Sequence, residues 1–420
     1  MSIERACSRV VLGFAAVLSV LILTGAAVAP ASATESELSL ALASQRADAL
    51  PMTSFYRFPG PVPSGQPGTL LRSQATQVYQ LPAGVRAVRI AYLSRSASDR
   101  PVIASAVVLI PFGKAPRGGW PVIAWAHGTS GVARNCAPSL MKNLYYGWMG
   151  LFEYPMMGYA VVATDYAGLG TRGPHQYMSI AAQAHDVIYS IPAARAAVAA
   201  LGRRWVAVGH SQGGSAVLKV AELESRLRDP GFLGTVSLAP PSDLYVMWHK
   251  YTNANPAVAG YLDIIALGIQ AADPAFDPRE MLGKAARARL PQIRQDACLE
   301  AASKLFGRAK PGAFLRPHWA DLPAVVHFAR INRPYLLAAN RPILLLQGTA
   351  DHTIPPAVTH HAAVKLCELG DRLEYRTFPG MNHIQLVDAS FRDQMKWISA
   401  RFAGKPAPMD CAAVLSSRSH

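Results

Sequence analysis

Trp205-Val206-Ala207-Val208-Gly209-His210-Ser211-Gln212-Gly213-Gly214-Ser215 passes from an apolar, strand-like run through a Gly-x-Ser-x-Gly pentapeptide into a helical stretch that ends near Leu227. A strand that turns this sharply into a helix drives its middle residue into a strained backbone conformation. Flanking residues without a Cβ let the chain pass so close to itself. Such a turn lifts Ser211 above the sheet and aims the free N–H groups of the helix start at an approaching carbonyl. A pentapeptide of this form arises by accident in a chain with 32 glycines. The strand before it and the helix after it are what give it weight.

A serine hydroxyl needs a base to take its proton. In folds built around this turn, the acid and the base follow in the order Ser, Asp, His from the ends of later strands. Asp351 lies just past the apolar run Ile343 to Leu346, and His383 just past Leu373 to Phe378 and before a helical stretch. His383 would accept the Ser211 proton, while Asp351 would hold the imidazole tautomer and stabilise its charged form. Each residue has a plainer reading: Ser211 and Asp351 as helix caps, His383 as a surface histidine. Their joint order, each at a strand end, favours the triad. Two N–H donors are needed for the developing oxyanion. One is expected from Gln212 and the other from Thr129, in the loop His127-Gly128-Thr129 after the Pro121–Ala126 strand. His127 itself reads as a residue that shapes the turn.

Around these points, short apolar runs alternate with helical ones. Val85–Tyr92 and Val102–Ile110 read as an antiparallel hairpin. Pro121–Ala126, Tyr159–Thr164, Trp205–Val208, Gly234–Leu238, Ile343–Leu346 and Leu373–Phe378 read as buried strands, with a closing helix over Phe391–Phe402. Gln176 to Ala200 has helical composition, with Pro192 expected to kink or divide it. The pattern implies an α/β fold, a mostly parallel sheet flanked by helices. Residues 34–80, with Pro59, Pro61, Pro63 and Pro67, read as loop-rich. Roughly 100 residues without a clear strand, 242–340, are too many for a loop and predict an inserted helical cap or lid. The division expected is 1–33 as signal peptide, 34–241 with 341–420 as the core, and 242–340 as the cap.

Arg5, Arg9, the apolar run Val10–Leu23 and Ala31-Ser32-Ala33 fit an export signal cleaved near Ala33. The location expected is therefore extracellular, periplasmic or in the cell envelope. Export leaves Cys136, Cys298, Cys367 and Cys411, for which two disulfides are expected, with three pairings open on spacing alone. The 51% hydrophobic content suits a large core, and 41 Lys and Arg against 26 Asp and Glu give a formal charge of +15. That charge is compatible with attraction to an anionic lipid interface. Basic residues are not clustered with aromatics, so nucleic acid is not an expected partner, and no stable protein partner is expected. Asp165-Tyr166-Ala167-Gly168-Leu169-Gly170 lacks the spacing of a dinucleotide site and reads as a loop bordering the site. His175, His185, His249, His318, His327 and His360-His361 lack metal-ligand spacing and read as surface or packing residues. Neither a metal nor a cofactor is expected.

Gly209-His210-Ser211-Gln212-Gly213-Gly214, His127-Gly128-Thr129, the Asp165–Gly170 run, Gly348-Thr349-Ala350-Asp351 and Pro67-Gly68-Thr69-Leu70-Leu71-Arg72 together resemble the secretory lipase family, similar to the fungal lipase A type with bacterial members. The resemblance covers nearly the whole mature chain. It implies an α/β-hydrolase fold, an esterase or lipase acting on esters or acylglycerols, and a helical cap that helps hold the acyl chain. It also favours Cys136–Cys298 and Cys367–Cys411 pairing. In the cap, Tyr261, Leu262, Ile264, Ile265, Leu267 and Ile269 fit either an acyl pocket or ordinary core. The fungal relatives carry an acidic residue where this chain has His127-Gly128-Thr129, which weakens transfer of their substrate range. Acyl transfer or peptide cleavage on the same triad, and a noncatalytic binding role, are the competing readings.

Overall fold

The alternation of apolar runs resolves into one sheet. The computed structural model describes residues 31–420 except 253–254, 256–257, 307–310 and 418–420. Its strands are β1 (Leu70–Thr76), β2 (Arg86–Arg95), β3 (Pro101–Ile110), β4 (Trp120–Ala126), β5 (Ala160–Thr164), β6 (Leu201–His210), β7 (Phe232–Leu238), β8 (Ile343–Gly348) and β9 (Leu373–Phe378). They form a nine-stranded sheet in the order β1-β2-β3-β5-β4-β6-β7-β8-β9. β1, β2, β3 and β5 pair antiparallel in turn, and every later pairing is parallel.

Side chains alternate across a strand, and the parallel strands are apolar on both faces. Trp205, Ala207, Ile343 and Leu345 join one core cluster, while Val206, Val208, Leu344 and Leu346 join the cluster on the opposite face. The α-helices before the β7–β8 connection are α1 (Ala31–Asp48), α2 (Glu153–Met156), α3 (Ile180–Ala197) and α4 (Gln212–Leu227). That connection carries α5 (Leu244–Lys250), α6 (Ala259–Ala272), α7 (Pro278–Met281), α8 (Lys284–Arg287), α9 (Leu290–Gln295), α10 (Leu299–Lys304) and α11 (Pro323–Ile331). After β8 come α12 (Pro356–Glu368), α13 (Gln385–Ala389), α14 (Phe391–Phe402) and α15 (Cys411–Ser416).

The β7–β8 connection has no strand among its described residues and builds a third apolar cluster, including Trp248, Ile264, Phe314 and Phe328. Two disulfides tie the chain together. Cys136–Cys298 joins a turn after β4 to the start of α10, with Cα atoms 5.4 Å apart, and Cys367–Cys411 joins α12 to α15 at 5.3 Å.

Three expectations need correction. Residues 34–80 are not mainly loop: α1 runs to Asp48, built from Ala, Leu, Glu and Ser, and β1 is an edge strand on β2. The proline-spaced middle, apart from a 3-10 turn at Ser54–Tyr56, and residues 77–80 are irregular. Secondly, α3 runs unbroken through Pro192 and starts at Ile180 rather than Gln176. Its first N–H is capped from the β7–β8 connection, Ile180 N donating to Asn332 Oδ1 at 2.9 Å. Packing against the sheet outweighs the one helical bond that proline removes. Thirdly, α4 starts at Gln212, directly after the nucleophile candidate, rather than at Ser215. The expected export segment falls mostly in residues 1–30, outside the described residues, and its boundary near Ala33 falls in the first turn of α1.

Candidate active site

β6 stops at His210 and α4 starts at Gln212, which leaves Ser211 alone to make the turn. Its φ of 55° and ψ of −119° place it in a region that residues with a Cβ rarely occupy. The glycines on either side explain how the turn closes. A Cβ on Gly209 would overlap the Gly213 carbonyl, and one on Gly213 would overlap the Ala126 carbonyl of β4. Ser211 N donates to Leu238 O of β7 at 2.9 Å, which pins the turn to the neighbouring strand.

His383 follows β9 and is 6% exposed; Asp351 follows β8 and is 2% exposed. His383 Nδ1–H donates to Asp351 Oδ2 at 2.7 Å, which leaves Nε2 free to accept a proton. The same oxygen accepts from Gln347 Nε2 at 3.2 Å, while Asp351 Oδ1 accepts the Thr353 and Ile354 N–H groups at 2.8 Å each. One carboxylate oxygen of Asp351 therefore caps the turn while the other accepts from the imidazole. Ser211 and His383 are brought to the same strand ends, but the serine hydroxyl makes no hydrogen bond among the described residues. Nucleophile–base contacts are often long without substrate and tighten when it binds.

Residues that the sequence did not mark hold His383 in place. His210 is fully buried, and its ring lies 4.5 Å from that of His383. Tyr146 Oη donates to His210 Nδ1 at 2.6 Å, so His210 Nε2–H donates to the His383 carbonyl at 2.9 Å. Burial holds the His210 pKa well below the usual imidazole value, which keeps this relay neutral.

The donors proposed for an oxyanion have a similar supporting layer. Gln212 N–H sits in the first turn of α4, where a helix offers it no acceptor. The Thr129 loop is held by two tyrosines: Tyr145 Oη donates to Thr129 O at 2.5 Å, and Tyr177 Oη pairs with Thr129 Oγ1 at 2.7 Å. His127 is indeed a turn-shaping residue, with Nδ1 on Gly128 O at 2.6 Å and Nε2 near Asp165 O at 3.2 Å; burial lowers it to about 4. Asp165 accepts from Ser105 Oγ at 2.6 Å, Ser139 N at 2.8 Å and Ser139 Oγ at 2.5 Å, so it orders the bordering loop. His175, expected on the surface or in packing, is buried against the site. Its Nδ1–H donates to Ala167 O at 3.1 Å, and its Nε2 accepts from the Gln212 side chain at 3.2 Å.

A cavity of about 50 Å3 opens beside Ser211, walled by Tyr177, Met247, Trp248, Tyr261, Leu262 and Ile265 among others. Three of the six α6 residues expected there or in the core therefore occur as wall, Tyr261, Leu262 and Ile265. Ile264 and Ile269 are fully buried in the cluster of the β7–β8 connection instead. No group of three or more His, Cys, Asp or Glu arranged to hold a metal occurs among the described residues.

The secretory lipase family model matches residues 151–410, which contain Ser211, Asp351 and His383. This chain belongs to the secretory lipase family. A Mycobacterium tuberculosis relative named probable inactive lipase is 24% identical over 382 residues, covering 84% of this chain and 82% of its own. The fold is also that of Candida antarctica lipase A, with a TM-score of 0.74 at 15% identity, covering 86% of this chain and 89% of that one. The rice cell wall degrading esterase LipA of Xanthomonas oryzae superposes with a TM-score of 0.66 at 20% identity, over 81% of this chain and 98% of that one. Family membership supports a hydrolase of the lipase kind, and the structural likenesses show the α/β-hydrolase fold.

Proposed function

We propose that this family member is an active, secreted serine carboxylic ester hydrolase. Ser211 Oγ attacks the ester carbonyl as His383 Nε2 takes its proton. The tetrahedral oxyanion receives the Gln212 and Thr129 N–H groups, and collapse expels the alcohol, protonated by His383. Water, activated by the same imidazole, then cleaves the acyl-enzyme. Asp351 keeps Nδ1 protonated throughout. The observation that carries the reading is the 2.7 Å His383–Asp351 bond beside a serine held at a φ of 55°. A noncatalytic protein has no use for that strain or for a base of fixed tautomer, which counts against carrying over inactivity from the mycobacterial relative.

The β7–β8 connection acts as a lid in this proposal. Ligand pockets usually hold about 300–1,000 Å3, whereas the cavity beside Ser211 leaves about 50 Å3. Admitting an acyl chain therefore requires the wall of α5 and α6 to shift. Residues 1–33 would direct export, after which the two disulfides persist outside the cytoplasm.

The test uses the mature protein with a fluorophosphonate probe and p-nitrophenyl esters of graded chain length. Wild type should label and hydrolyse at least one ester, while Ser211→Ala should lose both with its melting temperature nearly unchanged. No labelling and no turnover from folded wild type would favour the noncatalytic reading. Product analysis with added alcohol, and a peptide panel, separate acyl transfer and peptide cleavage from hydrolysis.

A further inference from the structure

Two adjoining recesses, of about 220 Å3 and 680 Å3, lie outside the Ser211 cavity. They share Arg100, Gly173, Pro174, His175 and Ala271, so they form one continuous groove. Its charged lining is one-sided. Arg95, Arg100 and Arg172 line the first recess, and Arg134 and Arg294 continue the row along the second. Asp99 pairs with Arg95 at 3.0 Å and offsets part of one charge. Asp186 is the acid in the lining; it is buried, accepts Ala167 N at 2.8 Å, and burial pushes it up to about 7, so it opposes an anion only weakly.

The groove also has unspent hydrogen-bonding capacity. Arg172 has no hydrogen bond or ion pair among the described residues, and the Arg100 guanidinium bonds only through Nε, to Ser98 Oγ at 3.3 Å. Gln183 lines the first recess at 1% exposure, and neither its amide nitrogen nor its amide oxygen has a partner. Arg134 Nε, in the second recess, is buried and unpartnered as well. Leaving such groups unmatched costs free energy that a polar ligand recovers.

We propose that this groove is a second binding site, which takes a phosphate-bearing polyol, its phosphate on Arg100 and Arg172 and a neighbouring hydroxyl at the Gln183 amide. Planar guanidinium groups match phosphate oxygens two at a time, and an amide both donates to and accepts from a hydroxyl. A free polyol phosphate and the glycerophosphate head group of an anionic lipid present the same chemistry. Ester hydrolysis plays no part in this binding, so the site stands or falls separately from Ser211.

The mature protein is titrated calorimetrically at low salt with sn-glycerol 3-phosphate and with inorganic phosphate, and sedimented with phosphatidylglycerol or phosphatidylcholine vesicles. Saturable binding should weaken with added salt. It should fall about tenfold or more in Arg100→Gln/Arg172→Gln, the worth of one lost charged hydrogen bond. Both arginines are exposed, so the ligand-free melting temperature should stay unchanged. Binding of glycerol 3-phosphate without vesicles assigns the free polyol phosphate as the source. Retention on phosphatidylglycerol vesicles, lost in the double variant, assigns the lipid head group. Gln183→Leu should weaken glycerol 3-phosphate more than inorganic phosphate; equal weakening would overturn the hydroxyl assignment. No saturable binding of any probe, or binding undiminished in the double variant, overturns the site.

Discussion

The two sides of the Ser211 cavity are held by different forces. On the sheet side, His383, His210, His127, Thr129 and Asp351 are each fixed by directional hydrogen bonds to side chains or carbonyls. On the side of the β7–β8 connection, the wall is apolar packing of Met247, Trp248, Leu262 and Ile265. Hydrogen bonds fix angles to within tens of degrees, whereas apolar contacts tolerate sliding as long as volume is conserved. Proton transfer needs the first kind of support, and admission of chains of varied length needs the second. On the proposed function, one molecule therefore combines a rigid reacting centre with a wall able to repack.

The strongest test of that division breaks the joint between the two sides. Cys136–Cys298 bridges them, and beside it Leu299 N donates to Ser130 O at 2.9 Å, next to Thr129. Replacing both cysteines by serine should cost about 2–4 kcal/mol of stability, the usual worth of a disulfide, measured by chemical denaturation. If the connection moves as a unit on this hinge, the ester chain-length profile should also broaden. Unchanged stability would mean that the two sides hold each other without the bridge.

A smaller effect is expected inside the sheet side. His210→Phe keeps a planar aromatic ring, slightly larger, but removes the donor to the His383 carbonyl and the acceptor for Tyr146. With the imidazole less well oriented, kcat should fall about ten- to a hundredfold while KM stays nearly constant. A loss confined to KM would show that His210 shapes substrate binding rather than positioning the base.

This contrast also explains what could be read from the chain beforehand. The placement of Ser211, Asp351 and His383 at the ends of buried strands was legible because such strands announce themselves as short apolar runs. Tyr145, Tyr146 and Tyr177 were not, because tyrosines in irregular segments carry no spacing signal. They reach the site only once the chain has folded. β1 was missed because an edge strand such as Leu70–Thr76 is polar on one side and lies beside a proline-rich stretch. The helical nature of 242–340 was visible from composition, but which α6 residues faced the cavity was not. On a helix apolar almost all round, periodicity does not distinguish cavity wall from core. The arginine groove draws its residues from six separate segments, and no local window contains it.

The smallest expected effect probes a buried, unpartnered carboxyl on the apolar side. Asp263 on α6 is fully buried, and neither carboxylate oxygen has a hydrogen-bond partner. Burial pushes its pKa up to about 7, only partly countered by Arg289, whose guanidinium lies over the Phe306 and Phe314 rings. A carboxyl with a raised folded pKa binds more protons in the native state, so its contribution to stability is complete below the ordinary value of 3.8 and is lost as pH rises through about 7. Asp263→Asn keeps the shape and removes the ionisation. It should match wild type at pH 4 and exceed it at pH 8 by about 1–2 kcal/mol, since an unpaired buried charge is costly. His127 and His175, both lowered to about 4 by burial, work in the opposite direction, since they lose stability as pH falls from 6.5. Their contribution is common to both proteins and cancels in the difference. A variant less stable than wild type at pH 8 would mean that Asp263 is ionised and held by Arg289. In that case the wall side also depends on a directional contact, and the division between its two sides is less sharp.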